Sequence, residues 1–406
     1  MGEGGTPVTV VGIGADGWAG LSGAAREAIT AAEVLLGSGR QLDLVAGHAR
    51  GERITWPSPM LPALPGLFER LAGRVVCALA SGDPMFFGLG ATLARVLGPE
   101  RLRVVAHPSS VSLACARLGW PADDVEVVSV VGRPLARLRR VLAPGRRVLV
   151  LSAGADSPKQ LASLLTADGY GASTLTVLEQ LGGPAERRLD GTAADWPYPP
   201  GDPLNVVAIL CVADAGARPL GTVPGLPDDA FGHDGQLTKR EVRAVTLAHL
   251  APRPGQLLWD VGAGAGSVAI EWMRAHPSCR AVAIESNPER AARIGFNADA
   301  LGVPDLQVVT GRAPAALAGL PAPDTIFIGG GVTRDGVLDT CWDALPGGGR
   351  LVANAVTLEA EAALAAGYAR LGGSLVRVAV QRASPVGGFT GWRPAMPVTI
   401  WVVEKE

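Results

Sequence analysis

Lysine is almost absent from this chain: of 36 basic residues only Lys159, Lys239 and Lys405 are lysine. Cysteine is sparse and scattered. Cys77, Cys115, Cys211, Cys279 and Cys341 form no CxxC pair, which suits buried reduced thiols in a cytosolic enzyme better than a disulfide framework or a zinc site. The five histidines are dispersed without an HxxxH, so no protein-held metal is expected. No apolar run nears the ~20 residues needed to span a bilayer. The first six residues, MGEGGT, lack the basic and apolar regions of a signal peptide, and their formal match to a myristoylation pattern reads as chance. A soluble, cytoplasmic protein is the expectation. A net charge of −2, from 36 basic and 38 acidic residues, leaves no basic field to recruit nucleic acid or a membrane.

Glycine (54) and proline (32) are abundant, a bias of composition rather than of function. The 406 residues are 48% hydrophobic and 18% charged, enough apolar material for sizeable cores and against disorder as the main state. Length alone predicts two or three domains. Residues 214–236, DAGARPLGTVPGLPDDAFGHDGQ, carry no apolar periodicity and read as a linker. Before it, strands are expected at Val8–Ile13, Val34–Leu36, Val75–Ala80, Arg103–Ala106, Val125–Val131, Arg147–Ser152 and Leu204–Val212. After it they are expected at Leu257–Val261, Ala281–Ile284, Gln307–Thr310, Thr325–Ile328, Gly349–Asn354, Ser374–Gln381 and Val398–Val403. Near-continuous Val/Ile/Leu runs alternating with alanine-rich helical stretches predict α/β domains with strands covered on both faces. The expected domains are residues 7–213 and 237–406.

The most informative run is Leu257-Leu-Trp-Asp-Val-Gly-Ala-Gly-Ala-Gly-Ser267. In so glycine-rich a chain the three glycines alone say little. Their context says more: a strand enters, a helix leaves near Ser267, and a second strand ends in Glu285. Glycines let a backbone approach a ligand at a helix N-terminus, and a carboxylate closing the second strand can accept both hydroxyls of an adenosine ribose. Dinucleotide binding shares this geometry, but its third glycine is replaced by Ser267. Asp260, Gly262, Ala263, Gly264, Ala265, Gly266 and Glu285 therefore become candidate residues for a methyl donor, with a purely structural glycine turn as the alternative. Upstream, Thr238 and Glu241 have the spacing of a capping box opening a helix. Read functionally, Thr238 also reaches the donor's methionine end, while Lys239, Glu241 or Arg243 meets an acidic substrate. Asn354 ends a strand near the expected site; a buried amide satisfying local backbone is the plainer reading.

DVGAGAGS with Asn287-Pro288-Glu289 resembles the Rossmann-like S-adenosylmethionine methyltransferases. Together with TKREVR, GRAPAAL, DTIFIGGG and NAVTLE, it resembles the decarboxylating precorrin methyltransferases of cobalamin biosynthesis over about residues 236–360. The resemblance implies an adenine contact at Ala313. Arg312 stands where that family has an acid, and Met396 where it has an asparagine.

The N-terminal half formally carries GxGxxG at Gly12–Gly17, but no helix begins at the third glycine and Glu33 precedes its strand, so a nicotinamide site is poorly supported. GIGADG (12–17), ASGDP (80–84), PSS (108–110), QLGGPAER (180–187) and PLNVV (203–207) instead resemble the tetrapyrrole methylase family, whose fold places the donor between two α/β lobes. The resemblance implies donor contacts at Gly12, Gly14, Asp16, Ser81, Gly82, Asp83, Pro84, Ser109 and Ser110. Val131 replaces the histidine of that family's His-Gly-Arg, leaving His107 and His48 as weak candidates for proton transfer.

Fused in this order, the two halves resemble the precorrin-6Y C(5,15)-methyltransferase (decarboxylating) family. What that resemblance implies is a homo-oligomeric enzyme with one S-adenosylmethionine site per domain and a precorrin, a reduced tetrapyrrole, as substrate. It implies methylation at carbon 5 by the N-terminal domain, and methylation at carbon 15 with loss of the ring C acetate carboxylate by the C-terminal one. Alignment of donor and acceptor would carry much of the rate, consistent with a sequence that shows no triad or carboxylate dyad.

Overall fold

The computed structural model describes residues 7–406; the N-terminal segment read above for signal and myristoylation patterns lies outside the described residues. The chain divides into two compact units. One comprises the chain up to Arg133 together with Ala143–Arg218, the other Pro134–Leu142 together with Pro219–Glu406.

The first unit holds two five-stranded sheets. β1 (Val8–Ile13), β2 (Val34–Gly37), β3 (Glu52–Thr55), β4 (Val76–Ser81) and β5 (Leu102–Val105) form an all-parallel sheet in the order β3-β2-β4-β1-β5. Apolar clusters cover both of its faces, one around Val10, Leu36 and Leu64, the other around Val11, Ile29 and Leu79. This explains the unbroken apolar runs of β1, β2 and β4. β6 (Val125–Ser129), β7 (Arg147–Leu151), β8 (Thr174–Glu179), β9 (Arg187–Thr192) and β10 (Asn205–Leu210) form a mixed sheet in the order β6-β7-β10-β8-β9. Only β6 and β7 pair in parallel.

In the second unit, β11 (Leu257–Val261), β12 (Arg280–Glu285), β13 (Gln307–Thr310), β14 (Thr325–Ile328) and β15 (Arg350–Ala355) are parallel. β16 (Ser374–Val378) closes the edge beyond β19 (Val398–Glu404), which is antiparallel to both its neighbours, in the order β13-β12-β11-β14-β15-β19-β16. β17 (Gln381–Val386) and β18 (Phe389–Pro394) make a separate hairpin. Strand order runs outward in both directions from β11, so the crevice of this sheet opens at the carboxyl ends of β11 and β14.

The expected linker is only partly one. Leu226 and Phe231 are buried in the core of the second unit, and the Gly225 and Leu226 N–H groups donate to the Glu271 carboxylate at 2.6 and 3.0 Å. The Asn297 side chain accepts from the Gly232 N–H at 2.8 Å and donates to its carbonyl at 3.0 Å. Glycine and proline deny this segment periodicity, yet buried carboxylate and amide groups pin its backbone as a strap. Among the described residues, no helix is long and apolar enough to cross a membrane.

Candidate active sites

In the second unit, a cavity of about 190 Å³ lies at the carboxyl edge of the parallel strands. Its walls come from the strand ends: Val261 and Gly262 from β11, Ile284 and Glu285 from β12, Gly311 to Ala313 after β13, and Gly329 to Gly331 after β14. Gly262, Gly264 and Gly266 all take positive φ, at 75°, 59° and 76°, which only glycine adopts without strain. Their crowding differs. A Cβ on Gly262 would lie 2.8 Å from the Gly330 backbone, one on Gly264 2.9 Å from the Gln236 carbonyl oxygen, and one on Gly266 2.7 Å from Ile294. Gly262 and Gly264 line the cavity; Gly266, Ala263 and Ala265 do not, and serve loop and helix packing. A side chain at Gly264 would therefore strike the strap at Gln236.

Glu285 sits in the cavity wall, 5% exposed, where its carboxylate accepts the Gly264 N–H at 2.9 Å and the Asn287 N–H at 2.8 Å. Asp260 stands behind the cavity wall and positions the turn. It is 1% exposed and absent from the cavity wall, and its Oδ2 accepts the Ala269 N–H at 3.1 Å, anchoring the helix Ser267–Ala275. Its Oδ1 has no partner, and burial pushes its carboxyl up to about 7.

The TKREVR reading changes most. The helix is Arg240–Leu250 with Lys239 as N-cap and no side-chain cap, so no capping box forms. Arg243 is fully buried, not turned to a substrate. It donates to Glu271 at 2.6 Å, to Asp228 at 3.2 Å and to the carbonyls of Thr238 and Leu226, and its guanidinium lies 4.8 Å from the Phe231 ring. Pulling in the Thr238 carbonyl sets the helix start one residue late. Glu241 pairs with Arg382 of β17, and Lys239 lies 4.0 Å from Asp228. Thr238 does not line the cavity, whereas Gln236, Arg290, Arg312 and Arg334 do; none of these stood out by motif as a ligand. Asn354 donates to the Thr246 hydroxyl at 2.9 Å, with its buried Oδ1 unpartnered.

In the first unit, a larger cavity of about 590 Å³ joins the ends of both sheets. Gly14, Ser81, Gly82, Asp83, Ser109 and Ser110 line it. Ser109 caps the helix Ser110–Leu118, aiming a helix N-terminus at the cavity, and Ser81 Oγ accepts from Gln41 at 3.0 Å. Gly12, Asp16 and Pro84 lie outside the cavity wall. A Cβ on Gly12 would lie 2.1 Å from the Gly82 carbonyl oxygen, so this glycine lets two loops touch. Asp16 Oδ2 stands 3.4 Å from His107 Nε2, while His107 Nδ1 is 3.1 Å from the Pro108 carbonyl. His107 is thus a packed residue bracing the first loop, and His48 stacks on Trp18 at 4.1 Å. Pro84 is buried beneath its loop. Ser152 and Asn205 also line the cavity, where Ser152 Oγ and Asn205 Oδ1 are buried and unpartnered. Both oxygens keep free hydrogen-bonding capacity beside the cavity.

Two family models match, Tetrapyrrole (Corrin/Porphyrin) Methylases over residues 7–197 and Precorrin methyltransferase domain over residues 229–405. A precorrin-6Y C(5,15)-methyltransferase [decarboxylating] of Sinorhizobium sp is 54% identical over 394 residues, covering 97% of this chain and 95% of its own length. The chain belongs to the precorrin-6Y C(5,15)-methyltransferase (decarboxylating) family. It is a methyltransferase, as the motif set leads one to expect. Shorter relatives match about half of it. A cobalt-precorrin-7 C(5)-methyltransferase of Salmonella typhimurium is 33% identical over 50% of this chain and 98% of its own. A probable cobalt-precorrin-6B C(15)-methyltransferase (decarboxylating) of Pyrobaculum calidifontis is 34% identical over 44% of this chain and 94% of its own.

Proposed function

We propose that the chain methylates a precorrin at carbons 5 and 15 and decarboxylates its ring C acetate, with one S-adenosylmethionine site in each unit. The observation that carries this reading is a cleft in each unit, built at strand carboxyl ends with positive-φ glycines in its wall. That separate relatives carry the carbon 5 and the decarboxylating carbon 15 names supports assigning carbon 5 to the first unit and the other two events to the second.

The donor supplies an already activated methyl group on a sulfonium. In the second unit, Glu285 would hold its ribose and Gly262 and Gly264 would let backbone approach it. In the first, Gly14, Gly82, Ser109, Ser110 and the unpartnered oxygens of Ser152 and Asn205 would hold it. The chain then has to bring an enamine-like ring carbon in line with that methyl, so that the new C–C bond forms as the C–S bond breaks and S-adenosylhomocysteine leaves. For decarboxylation, the electrons of the acetate C–C bond flow into the electron-poor macrocycle, carbon dioxide departs, and the carbon later takes a proton. Holding the acetate in place and excluding water are the protein's part. The buried Cys77 and Cys341, pushed up to about 12 by burial, take no part. The near-neutral charge supports a protein without nucleic-acid contact, and a cytoplasmic homo-oligomer is what the family resemblance implies. Incubation with labelled donor and candidate precorrins, with methyls counted by mass spectrometry, tests the reading: two methyls gained and one carbon dioxide lost support it, and any other stoichiometry overturns it.

A further inference from the structure

Three arginines line the cavity of the second unit, and they differ in one respect. Arg290 donates to Asp234 at 2.7 Å and is neutralised there; that bond holds Asp234 down at about 2. Arg312 and Arg334 are exposed, and among the described residues neither guanidinium has a hydrogen bond or ion pair. They hang from two turns that pack side by side: a Cβ on Gly336 would lie 3.6 Å from Pro314 Cγ. Arg334 folds back over the glycine turn after β14, since a Cβ on Gly331 would lie 3.8 Å from both its Cδ and Nε. Two uncompensated guanidinium groups on neighbouring turns at one cleft offer an anion two planar donor forks.

The donor is a poor candidate for that anion, because its sulfonium and ammonium outnumber its one carboxylate. A reduced tetrapyrrole presents several acetate and propionate arms, and the planar guanidinium fork matches a carboxylate. Resting on the function proposed above, we infer that Arg312 and Arg334 form a two-pronged clamp for carboxylate arms of the tetrapyrrole other than the one that leaves. A cation on the departing carboxylate would stabilise the ground state against losing its charge into the ring, and so would slow decarboxylation. Arms that keep their charge throughout carry no such penalty. The clamp therefore acts on KM for the tetrapyrrole and leaves turnover of bound substrate near its original rate.

The test uses the full chain with Arg312→Gln, Arg334→Gln, the double variant and the matching lysine variants. Carbon dioxide release gives KM and kcat for precorrin-6Y. Absorbance titration of precorrin-6Y with S-adenosylhomocysteine present gives binding without turnover, and calorimetry gives affinity for S-adenosylhomocysteine itself. Each glutamine variant should raise KM about tenfold and weaken one phase of the titration as much, the size of a lost charged hydrogen bond. Affinity for S-adenosylhomocysteine should stay within about twofold, and lysine should restore part of the loss. A weakened S-adenosylhomocysteine with unchanged tetrapyrrole binding would overturn the clamp by assigning the arginines to the donor, and unchanged binding of both would overturn it too. If the unsubstituted chain bound S-adenosylhomocysteine but no tetrapyrrole, both the clamp and the proposed function would fall.

Discussion

The Glu285 carboxylate spans two loops, taking the Gly264 N–H on Oε2 at 2.9 Å and the Asn287 N–H on Oε1 at 2.8 Å. These bonds fix its direction and leave each oxygen a lone pair for a ribose hydroxyl. Glu285→Ala should therefore lower affinity for S-adenosylhomocysteine at one site by about 1.5–3 kcal/mol, as expected for charge-assisted hydrogen bonds. Calorimetry on the full chain should show two sites becoming one strong and one weak. An unchanged two-site titration would refute the ribose assignment.

Gly264 answers to the strap as much as to the donor. Substituting valine puts a β-branched residue at φ 59°, a strain of about 1–3 kcal/mol, and drives its Cβ toward the Gln236 carbonyl. The variant should lose the second unit's methylation and carbon dioxide release together. Denaturant unfolding should show the stability loss directly.

Arg243→Met should act on stability and not on substrate affinity. Removing this buried guanidinium strands Glu271, itself 3% exposed, and breaking a buried pair in this way costs about 3–5 kcal/mol. Urea unfolding of the second unit should shift accordingly, with KM for the tetrapyrrole unchanged in whatever fraction stays folded. A variant of normal stability and raised KM would restore Arg243 to the substrate.

The glycine turns and strand ends of both sites were legible because backbone that approaches a ligand must be glycine and must follow a buried strand. Arg243 was misread because its spacing on the helix says nothing about which face is buried; only Glu271 and Asp228, distant in sequence, reveal that. β3 and β9 escaped notice because they lie at sheet edges with polar sequences, β8 because Thr174 and Thr176 interrupt its short apolar run, and β17 and β18 because they form a hairpin with little apolar periodicity. Ser152 and Asn205 lay inside or beside expected elements, but nothing in sequence marks a polar atom as unpartnered. The strap over residues 225–236 was hidden by its own composition.

Asp260 gives a pH signature. Its folded value of about 7 lies above an ordinary aspartate's, mainly through burial, so the folded state binds its proton more tightly than the unfolded one. Stability should then be greatest below about pH 4 as far as this group is concerned, and should fall as pH rises to about 7, by on the order of a few kcal/mol. Asp260→Asn, which keeps an acceptor for the Ala269 N–H, should flatten that slope in thermal unfolding followed across this range.

The division of labour between the two units is tested most directly by a variant disabled in the first site alone. Gly82→Val with Asp83→Ala forces a side chain into a positive-φ position and removes the carboxylate that accepts the Met85 N–H at 2.8 Å, collapsing the loop at that cavity. Product mass and carbon dioxide release are then measured together on the full-length, folded variant. The account predicts carbon dioxide released as before and a product lacking one methyl group, that of carbon 5. A folded variant that releases no carbon dioxide, or one that still adds both methyls, would contradict it.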